Sequence, residues 1–246
     1  MLSWQPFARH QWFLRAFYKQ TFRMPTFNDL YYTEIGNKNL APEYTTQYNI
    51  GSAYSRSWSA GGGAVSLDTQ LDAYHNQIKD MIVAIPGGGQ FRWVMLNYGY
   101  VEIDGIDAVV QGRYGKESFG VDVRLSYTWQ LARNLTDPHS LFYGCQIPYI
   151  PCHSGSVVAG VSLGGWSLNY SFIYTGERYM QADSLPEDYV QPWYTHDMAL
   201  AYRFATPRAA FDIALEINNI FNQQYEVVAR YPMPGTNFKL ILSITL

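Results

Sequence analysis

Apolar and polar residues alternate with a period of two along much of the chain. From Phe119 to Leu131 every odd position is apolar or aromatic, whereas the even positions carry Gly, Asp, Arg, Ser, Thr or Gln. Such alternation places apolar side chains on one face of a β-strand and polar side chains on the other. The apolar face lasts about as long as a strand that crosses a bilayer, which takes roughly 9–11 residues.

The same alternation recurs in later segments and predicts further strands. The clearest of them cover residues 166–175, 196–204, 211–218 and 237–246. Because the whole chain carries about ten such segments and no long helical pattern, we predict an all-β, antiparallel fold. No apolar run approaches the roughly 18 residues that a membrane-spanning helix requires.

The connections between predicted strands alternate in length. Short turns are predicted at Ser57–Gly63, Gly115–Ser118, Gly164–Gly165 and Ala205–Arg208, and long segments at Arg23–Glu43, Ile85–Arg92, Arg133–His153, Gln181–Gln191 and Glu226–Gly235. Outer-membrane barrels have short periplasmic turns and long extracellular loops. The rhythm therefore favours transmembrane β-barrel strands, with the long segments outside the cell and the polar faces toward the lumen.

Composition and charge narrow the class of protein. The chain has 246 residues, 48% hydrophobic and 17% aromatic content, only 15% charged residues and a net charge of −3. Few charges and many Tyr and Trp suit a membrane barrel with aromatic girdles, although a Tyr-rich soluble sandwich or lectin fits the composition equally well. Without clustered Lys and Arg, no nucleic-acid partner is expected.

The N-terminus does not resemble a secretion signal. Residues 1–6 lack a basic segment, an apolar segment and a cleavage site. Since an outer-membrane protein must be exported, we expect the chain to be a fragment, a processed form or an unusual gene product.

Several short motifs, in order along the chain, resemble those of TonB-dependent outer-membrane receptors. They are Phe22-Arg23-Met24-Pro25, Asn28-Asp29-Leu30-Tyr31, Gly36-Asn37-Lys38-Asn39-Leu40-Ala41-Pro42-Glu43, Asn97-x-Gly99, Gly105-Ile106-Asp107, Pro151-Cys152-His153, Tyr174-Thr175-Gly176-Glu177-Arg178-Tyr179 and Asn218-Asn219-Ile220-Phe221-Asn222-Gln223-Gln224-Tyr225. Each motif alone is weak, whereas their order and spacing over nearly the whole chain are specific.

The resemblance implies that residues 1–246 form part of a receptor barrel domain, corresponding to the last strands of a 22-stranded barrel. The family's plug domain and TonB box have no counterpart here, so contact with the TonB complex is expected only through the missing plug. Haem receptors of the family often carry a His in the segment that corresponds to Thr26–Lys38, which contains none. This weakly favours a siderophore- or cobalamin-like type.

The expected function is uptake of a scarce nutrient across the outer membrane of a Gram-negative bacterium. The expected partners are outer-membrane lipid, lipopolysaccharide, the missing plug and N-terminal strands, and a small-molecule ligand. Because Tyr and Trp offer rigid stacking area and Arg binds anions, we predict a ligand site on the long loops. Its candidates are Tyr31, Tyr32, Arg92, Trp93, Tyr143, Tyr189 and Tyr231. For any single residue, interfacial anchoring is the plainer alternative.

Other residues are assigned structural roles. Cys145 and Cys152 lie in one long segment, where a disulfide or two reduced thiols are both possible. Asn218 and Asn219 are expected to bond loop backbone rather than ligand. Polar-face charges are expected to pair across strands or to face a plug domain, with a hydrated polar wall as the plainer alternative; they are Asp122, Arg124, Arg203, Asp212 and Glu216.

No catalytic motif, metal-ligand spacing or cofactor motif is present, so no enzyme activity is expected. One alternative is an independent small barrel that acts as a structural protein, passive pore or adhesin. In that case the first strand near Trp12–Thr21 would pair with the last near Phe238–Leu246, whereas in part of a larger barrel both remain edges. A soluble carbohydrate-binding domain or hydrolase is a third possibility, against which the outward apolar faces argue.

Overall fold

The computed structural model describes residues 1–7, 11–86, 93–181 and 185–245. The strands are β1 (Leu2–Trp4), β2 (Gln11–Arg23), β3 (Glu43–Ala60), β4 (Gly63–Pro86), β5 (Trp93–Lys116), β6 (Phe119–Asn134), β7 (His153–Leu163), β8 (Trp166–Thr175), β9 (Arg178–Tyr179), β10 (Tyr189–Val190), β11 (Trp193–Ala205), β12 (Ala210–Asn218), β13 (Glu226–Val228), β14 (Tyr231–Pro232) and β15 (Asn237–Thr245). Helix α1 covers Phe27–Tyr31, and a 3-10 turn covers Pro186–Asp188. In these ranges no helix has the length and apolar character needed to cross a membrane.

One antiparallel sheet contains eleven strands in the order β1-β2-β3-β4-β5-β6-β7-β8-β11-β12-β15. The remaining strands form two small ribbons, β9–β10 and β13–β14, within the connections. Because each long strand pairs with its neighbours in the chain, the sheet is a simple meander. The predicted all-β, antiparallel architecture of about ten strands is confirmed.

The alternation of short and long connections is also confirmed. Short turns follow β3, β5, β7 and β11, and long connections follow β2, β6, β8 and β12. Of the predicted long segment Ile85–Arg92, Ile85 belongs to β4 and residues 87–92 lie outside the described residues. We call the two ends of the sheet the short-turn end and the long-loop end. β4 and β5 have 24 residues each, more than twice the roughly 9–11 that cross a bilayer. Their hairpin therefore projects beyond its neighbours at the long-loop end.

The register separates an apolar face from a polar face along the sheet. Leu215 lies opposite Leu240 and Ile213 opposite Leu242, and residues paired in this way share a face. On the polar face Arg203 Nε lies 2.5 Å from Asp212 Oδ1, and Lys239 Nζ lies 3.5 Å from Glu216 Oε2. The predicted cross-strand ion pairing is thus confirmed for these residues.

Two bands of aromatic rings bound the apolar face. The lower band, near the short-turn end, consists of Tyr114, Phe119, Trp166, Tyr202, Phe204 and Phe211, with ring centroids of neighbouring pairs 4.5 to 6.1 Å apart. The upper band, nearer the long-loop end, consists of Tyr18, Tyr48, Tyr127, Tyr170, Phe172 and Tyr194. Barrels that cross a membrane carry such girdles at both lipid–water interfaces.

A small hydrophobic core lies at the long-loop end. It contains Ile78, Val83, Val101, Ala132 and Ile147, and Val101 is completely buried. Ile147 belongs to the connection between β6 and β7, and its amide donates to the Ala132 carbonyl at 2.8 Å. Burial of these side chains therefore holds the connection against the sheet.

The sheet is open within the described residues. β15 pairs with β12, and β2 pairs with β3 and with the three-residue β1. This arrangement does not favour the small closed barrel, which requires the first and last long strands to pair.

A disulfide cross-link tests this topology. We expect no cross-link between cysteines that replace Tyr18 and Leu242, two residues of the apolar face, because their strands lie at opposite edges of the sheet. Cysteines that replace Ile213 and Leu242 serve as the positive control, because these residues are direct register partners. Efficient cross-linking of the first pair in detergent would establish a closed barrel.

Candidate ligand site at the long-loop end

The first long connection, residues 24–42, is fastened to β5. The side-chain amide of Asn37 donates to the Met95 carbonyl at 3.0 Å. The side chain of Asn97 accepts from the Ala41 amide at 2.9 Å and donates to the Ala41 carbonyl at 3.1 Å. This connection therefore lies beside the projecting hairpin of β4 and β5.

Arg178 joins two other connections. It is only 4% exposed, and its guanidinium donates to the carbonyls of Val227 at 2.9 Å, Glu226 at 3.2 Å and Gln191 at 3.3 Å. Burial lowers the pKa of this guanidinium, while nearby Tyr149 opposes the shift. Arg178 thus fixes the ribbon of β13 and β14 to the ribbon of β9 and β10.

Tyr149 joins the connection between β6 and β7 to the same group. Its amide donates to the Tyr179 carbonyl at 3.0 Å, its hydroxyl hydrogen-bonds the backbone of Ala229, and burial raises its pKa. Its ring centroid lies 5.5 Å from that of Trp93 on the projecting hairpin. The backbone φ of 61° at Tyr149 is sparsely populated for a bulky residue, so these contacts hold it in place.

We call Trp93, Tyr149, Arg178, Tyr179 and Tyr189 the loop clasp. Tyr179 and Tyr189 complete it with an edge-on ring contact at 5.8 Å. Acidic groups surround the clasp: after burial, Asp188 and Glu226 raise the pKa of Tyr149 further, and burial followed by the charge of Glu177 raises the pKa of Tyr189. The arrangement offers rigid aromatic surface with hydroxyl groups, which suits stacking and hydrogen bonding to a small molecule.

Asn219 shapes the neighbouring connection, residues 219–236. It is 4% exposed, and its side chain donates to the carbonyls of Gln223 at 2.9 Å and Pro234 at 3.3 Å. Asn218 bonds across the sheet to the Asn237 side chain at 3.0 Å. The predicted bonding to loop backbone is confirmed for Asn219, whereas Asn218 bonds a side chain of β15 instead.

The structure brings only some of the predicted ligand residues together. Trp93 and Tyr189 belong to the loop clasp, and Tyr231 lies on β14 opposite Val228. Tyr31 and Tyr32 lie apart at the end of α1, where Lys38 Nζ sits 5.6 Å from the Tyr31 ring centroid. Tyr143 lies in the connection between β6 and β7, with its amide bonded to the Ser140 carbonyl at 3.1 Å. Arg92 lies outside the described residues.

Neither Tyr149 nor the role of Arg178 was predicted from the sequence. Arg178 stands in one of the motifs quoted for the family resemblance, but the motif does not reveal which carbonyls it binds. Tyr149 lies in an irregular segment without any periodic pattern. Its unusual local feature is the positive φ, which cannot be predicted from the residue type.

The possible disulfide between Cys145 and Cys152 is corrected: both are free thiols. The Cys145 carbonyl accepts from the Asn134 amide at 3.0 Å, and the Cys152 carbonyl accepts from the Gln130 amide at 2.9 Å. Because Asn134 and Gln130 are four residues apart on β6, about 13 Å separates the two anchoring points. A disulfide requires Cα atoms within roughly 7 Å.

Thiol reactivity tests this placement. Burial, and secondarily the charge of Glu177, raise the pKa of Cys152, so the reactive thiolate is scarce near pH 8. We expect E177Q to lower that pKa and to speed alkylation of Cys152 about twofold, measured by mass spectrometry. E187Q, at an exposed position of the 3-10 turn, should leave the rate unchanged. A disulfide in non-reduced protein would contradict the assignment.

An antiparallel sheet that is apolar between two aromatic bands on one face and polar on the other defines the wall of a transmembrane β-barrel. The chain belongs to the family of TonB dependent receptor-like β-barrels, whose family model matches residues 1–220. This family consists of receptors and transporters rather than enzymes.

Individual relatives agree with the family. The vitamin B12 transporter BtuB of Vibrio vulnificus is 26% identical over 205 residues, covering 83% of this chain and 29% of that protein. Among solved structures, the ferric citrate transporter FecA in the unliganded form superposes with a TM-score of 0.66 at 15% identity, covering 98% of this chain and 36% of that chain. The copper transporter OprC gives a TM-score of 0.64 at 18% identity, with coverage of 94% and 37%. The chain thus spans about a third of the length of these relatives.

Proposed function

We propose that the protein is an outer-membrane TonB-dependent receptor that takes up a scarce nutrient such as a ferric siderophore or cobalamin, and that this chain supplies part of its barrel wall. The observation that carries the proposal is the family match over residues 1–220. The vitamin B12 transporter among the sequence relatives supports the ligand class.

The proposal assigns each surface of the sheet a partner. The apolar face between the two aromatic bands meets lipid and lipopolysaccharide in the outer membrane of a Gram-negative bacterium. The polar face, with the Arg15–Asp72 pair at 2.6 Å, faces the lumen and a plug domain. The TonB complex acts through that plug, and the long-loop end faces the medium.

Ligand capture is assigned to the loop clasp. Trp93 and Tyr189 supply ring faces, and Tyr189 is 43% exposed. The surrounding acids Glu177, Asp188 and Glu226 disfavour a strongly anionic chelate at this position, because like charges repel in a partly desolvated site. Within the proposed class, the clasp therefore suits a neutral or weakly charged ligand better than a polyanionic one.

Uptake by cells tests the proposal. A strain that lacks its own cobalamin and siderophore receptors would express the protein and receive radiolabelled cyanocobalamin or a labelled ferric siderophore. We expect accumulation of one of these ligands that stops when the TonB complex is inactivated. Accumulation that is unaffected by TonB would indicate a passive pore, and binding of none of them would reject the proposed ligand classes.

Variants of the clasp locate the site. We expect W93A/Y189A to weaken binding of the transported ligand about tenfold, because two stacking surfaces are lost. F142A is the matched control, since Phe142 is 43% exposed on the same end but lies outside the clasp. Equal losses in both variants would argue against the clasp as the binding surface.

A further inference from the structure

Three histidines lie in the upper aromatic band on the apolar face. Each contacts a tyrosine of that band on the adjoining strand: His75 lies 6.0 Å from the Tyr48 ring, His153 lies 6.2 Å from Tyr127, and His196 lies 5.9 Å from Tyr170. An imidazole is a costly group to place against lipid tails. Because imidazoles recur on three separate strands, we expect the surroundings of the sheet to be polar at this height.

The register puts the three side chains within about two residues of one height in the proposed membrane. Relative to β6, His75 is level with Leu131, His153 with Trp129 and His196 with Leu125. Barrel strands tilt by about 40° and lie about 4.8 Å apart, so a line of constant height falls by about 1.2 residues per strand. The observed fall of six residues across the five strand steps from β4 to β11 matches that line, whereas His153, two residues lower after three steps, lies about 1.6 residues above it.

The same nitrogen of each ring is already engaged within the wall. Nδ1 of His75 lies 2.7 Å from Asp104 Oδ1, Nδ1 of His153 lies 2.8 Å from the Tyr127 hydroxyl, and Nδ1 of His196 lies 2.6 Å from the Tyr170 hydroxyl. When a tyrosine donates to Nδ1, the neutral imidazole carries its proton on Nε2. The two ring nitrogens lie on different edges of the ring, so a partner bound at Nδ1 fixes a direction for the Nε2 donor.

The charged groups nearest these rings differ from strand to strand. Asp104, which faces His75, is also bound by Arg133 at 2.9 Å. His196 is packed between Phe172 at 4.8 Å and Phe221 at 4.7 Å. His153 is the most exposed of the three. All three nevertheless present an imidazole at the upper boundary of the apolar face.

We propose that His153 and His196 form a row of two hydrogen-bond donors for the phosphate groups of outer-leaflet lipid. His75 does not belong to this row, because its Nδ1–H donates to Asp104 and Nε2 of the neutral ring is then an acceptor. A phosphate is a strong acceptor that carries negative charge, and it lies at the level where the apolar face ends. A row of donors near one height would fix the depth and tilt of the barrel more sharply than aromatic rings alone. This inference rests on the proposed membrane location, but it does not depend on which nutrient is carried.

Lipid binding by the purified protein in detergent tests the row. The probe is bis-phosphorylated lipid A, counted by native mass spectrometry, with fully dephosphorylated lipid A as the comparison ligand. We expect wild type to prefer the phosphorylated form and H153F/H196F to bind it about fivefold more weakly, at two- to threefold per histidine. Phenylalanine preserves the aromatic band while removing the donors.

Two further variants keep the result interpretable. H139F makes the same change at an exposed loop histidine and should bind as wild type does. H153F alone changes the more exposed of the two rings and should lose two- to threefold, which keeps the test available where the double variant does not fold. Unchanged lipid A binding in folded variants, or equal wild-type affinity for both lipids, would overturn the inference and leave nutrient uptake untouched. Failure of the protein to fractionate with outer membranes would overturn both.

Discussion

Replacement of Arg178 by methionine is expected to open the loop clasp. Methionine keeps much of the apolar stem but leaves the carbonyls of Gln191, Glu226 and Val227 without their donor. Loss of one member of a buried charged network costs about 3–5 kcal/mol. We therefore expect the local free energy of opening to fall by about that amount and ligand binding to weaken with it.

Hydrogen exchange measures this effect directly. Amides in residues 145–152, 176–192 and 219–236 should exchange at least a hundredfold faster in R178M, while amides of β6 and β12 keep their rates. R208M, at an exposed arginine in the turn after β11, controls for the loss of one cation. R178K should recover only part of the protection, because one ammonium cannot reach all three carbonyls in a planar fork. Unchanged exchange in R178M would show that the loops do not depend on this residue.

Replacement of Arg15 by leucine is expected to have the second large effect. The carboxylate of Asp72 accepts from Arg15 at 2.6 Å and from Gln70 at 2.8 Å, and its side chain is only 11% exposed. Gly51 stands between them on β3, where a Cβ would lie 2.9 Å from Arg15 Nε. Without Arg15 the carboxylate stays buried and uncompensated, which lowers stability by about 2–4 kcal/mol.

A double variant separates the lost attraction between Arg15 and Asp72 from the cost of leaving the Asp72 carboxylate buried without a partner. R15L/D72L should recover most of the stability that R15L loses, because it removes both charges. The matched comparison is R203L at the exposed Arg203–Asp212 pair, whose side chains are 76% and 42% exposed and whose loss should cost less than about 1 kcal/mol. Thermal unfolding in detergent, followed by the mobility shift of folded barrels, provides the measurement. Equal destabilisation by R15L and R203L would contradict the argument.

Most of the fold could be predicted from local pattern. The alternation from Phe119 to Leu131 lies within β6, and His153, the last residue of a quoted motif, begins β7. Strands of this kind are readable because each side chain faces either lipid or lumen, so every position carries information about its face. The turns at Gly164–Gly165 and Gly115–Ser118 could be predicted because Gly or polar residues interrupt the alternating pattern there.

The candidate site was predicted less well, because its residues lie in irregular segments rather than in strands. Tyr31 and Tyr189 were chosen alike as loop tyrosines, yet one lies at the end of α1 and the other in the clasp. In irregular segments no periodicity links a residue to its neighbours in space. The choice between a disulfide and two free thiols stayed open for the same reason, because the closeness of Cys145 and Cys152 in sequence does not show that the connection between them runs extended beside β6.

The sequence by itself determined the antiparallel meander, the two faces of its strands and the alternation of its connections, since all three follow from period-two patterning and turn chemistry. Only the tertiary structure decided how the long connections meet, through Tyr149 and Arg178, and which histidines stand near one height on the apolar face. The physical reason is that these contacts join residues far apart in the chain. Their geometry depends on strand register and tilt, which are set by the whole sheet rather than by any one segment.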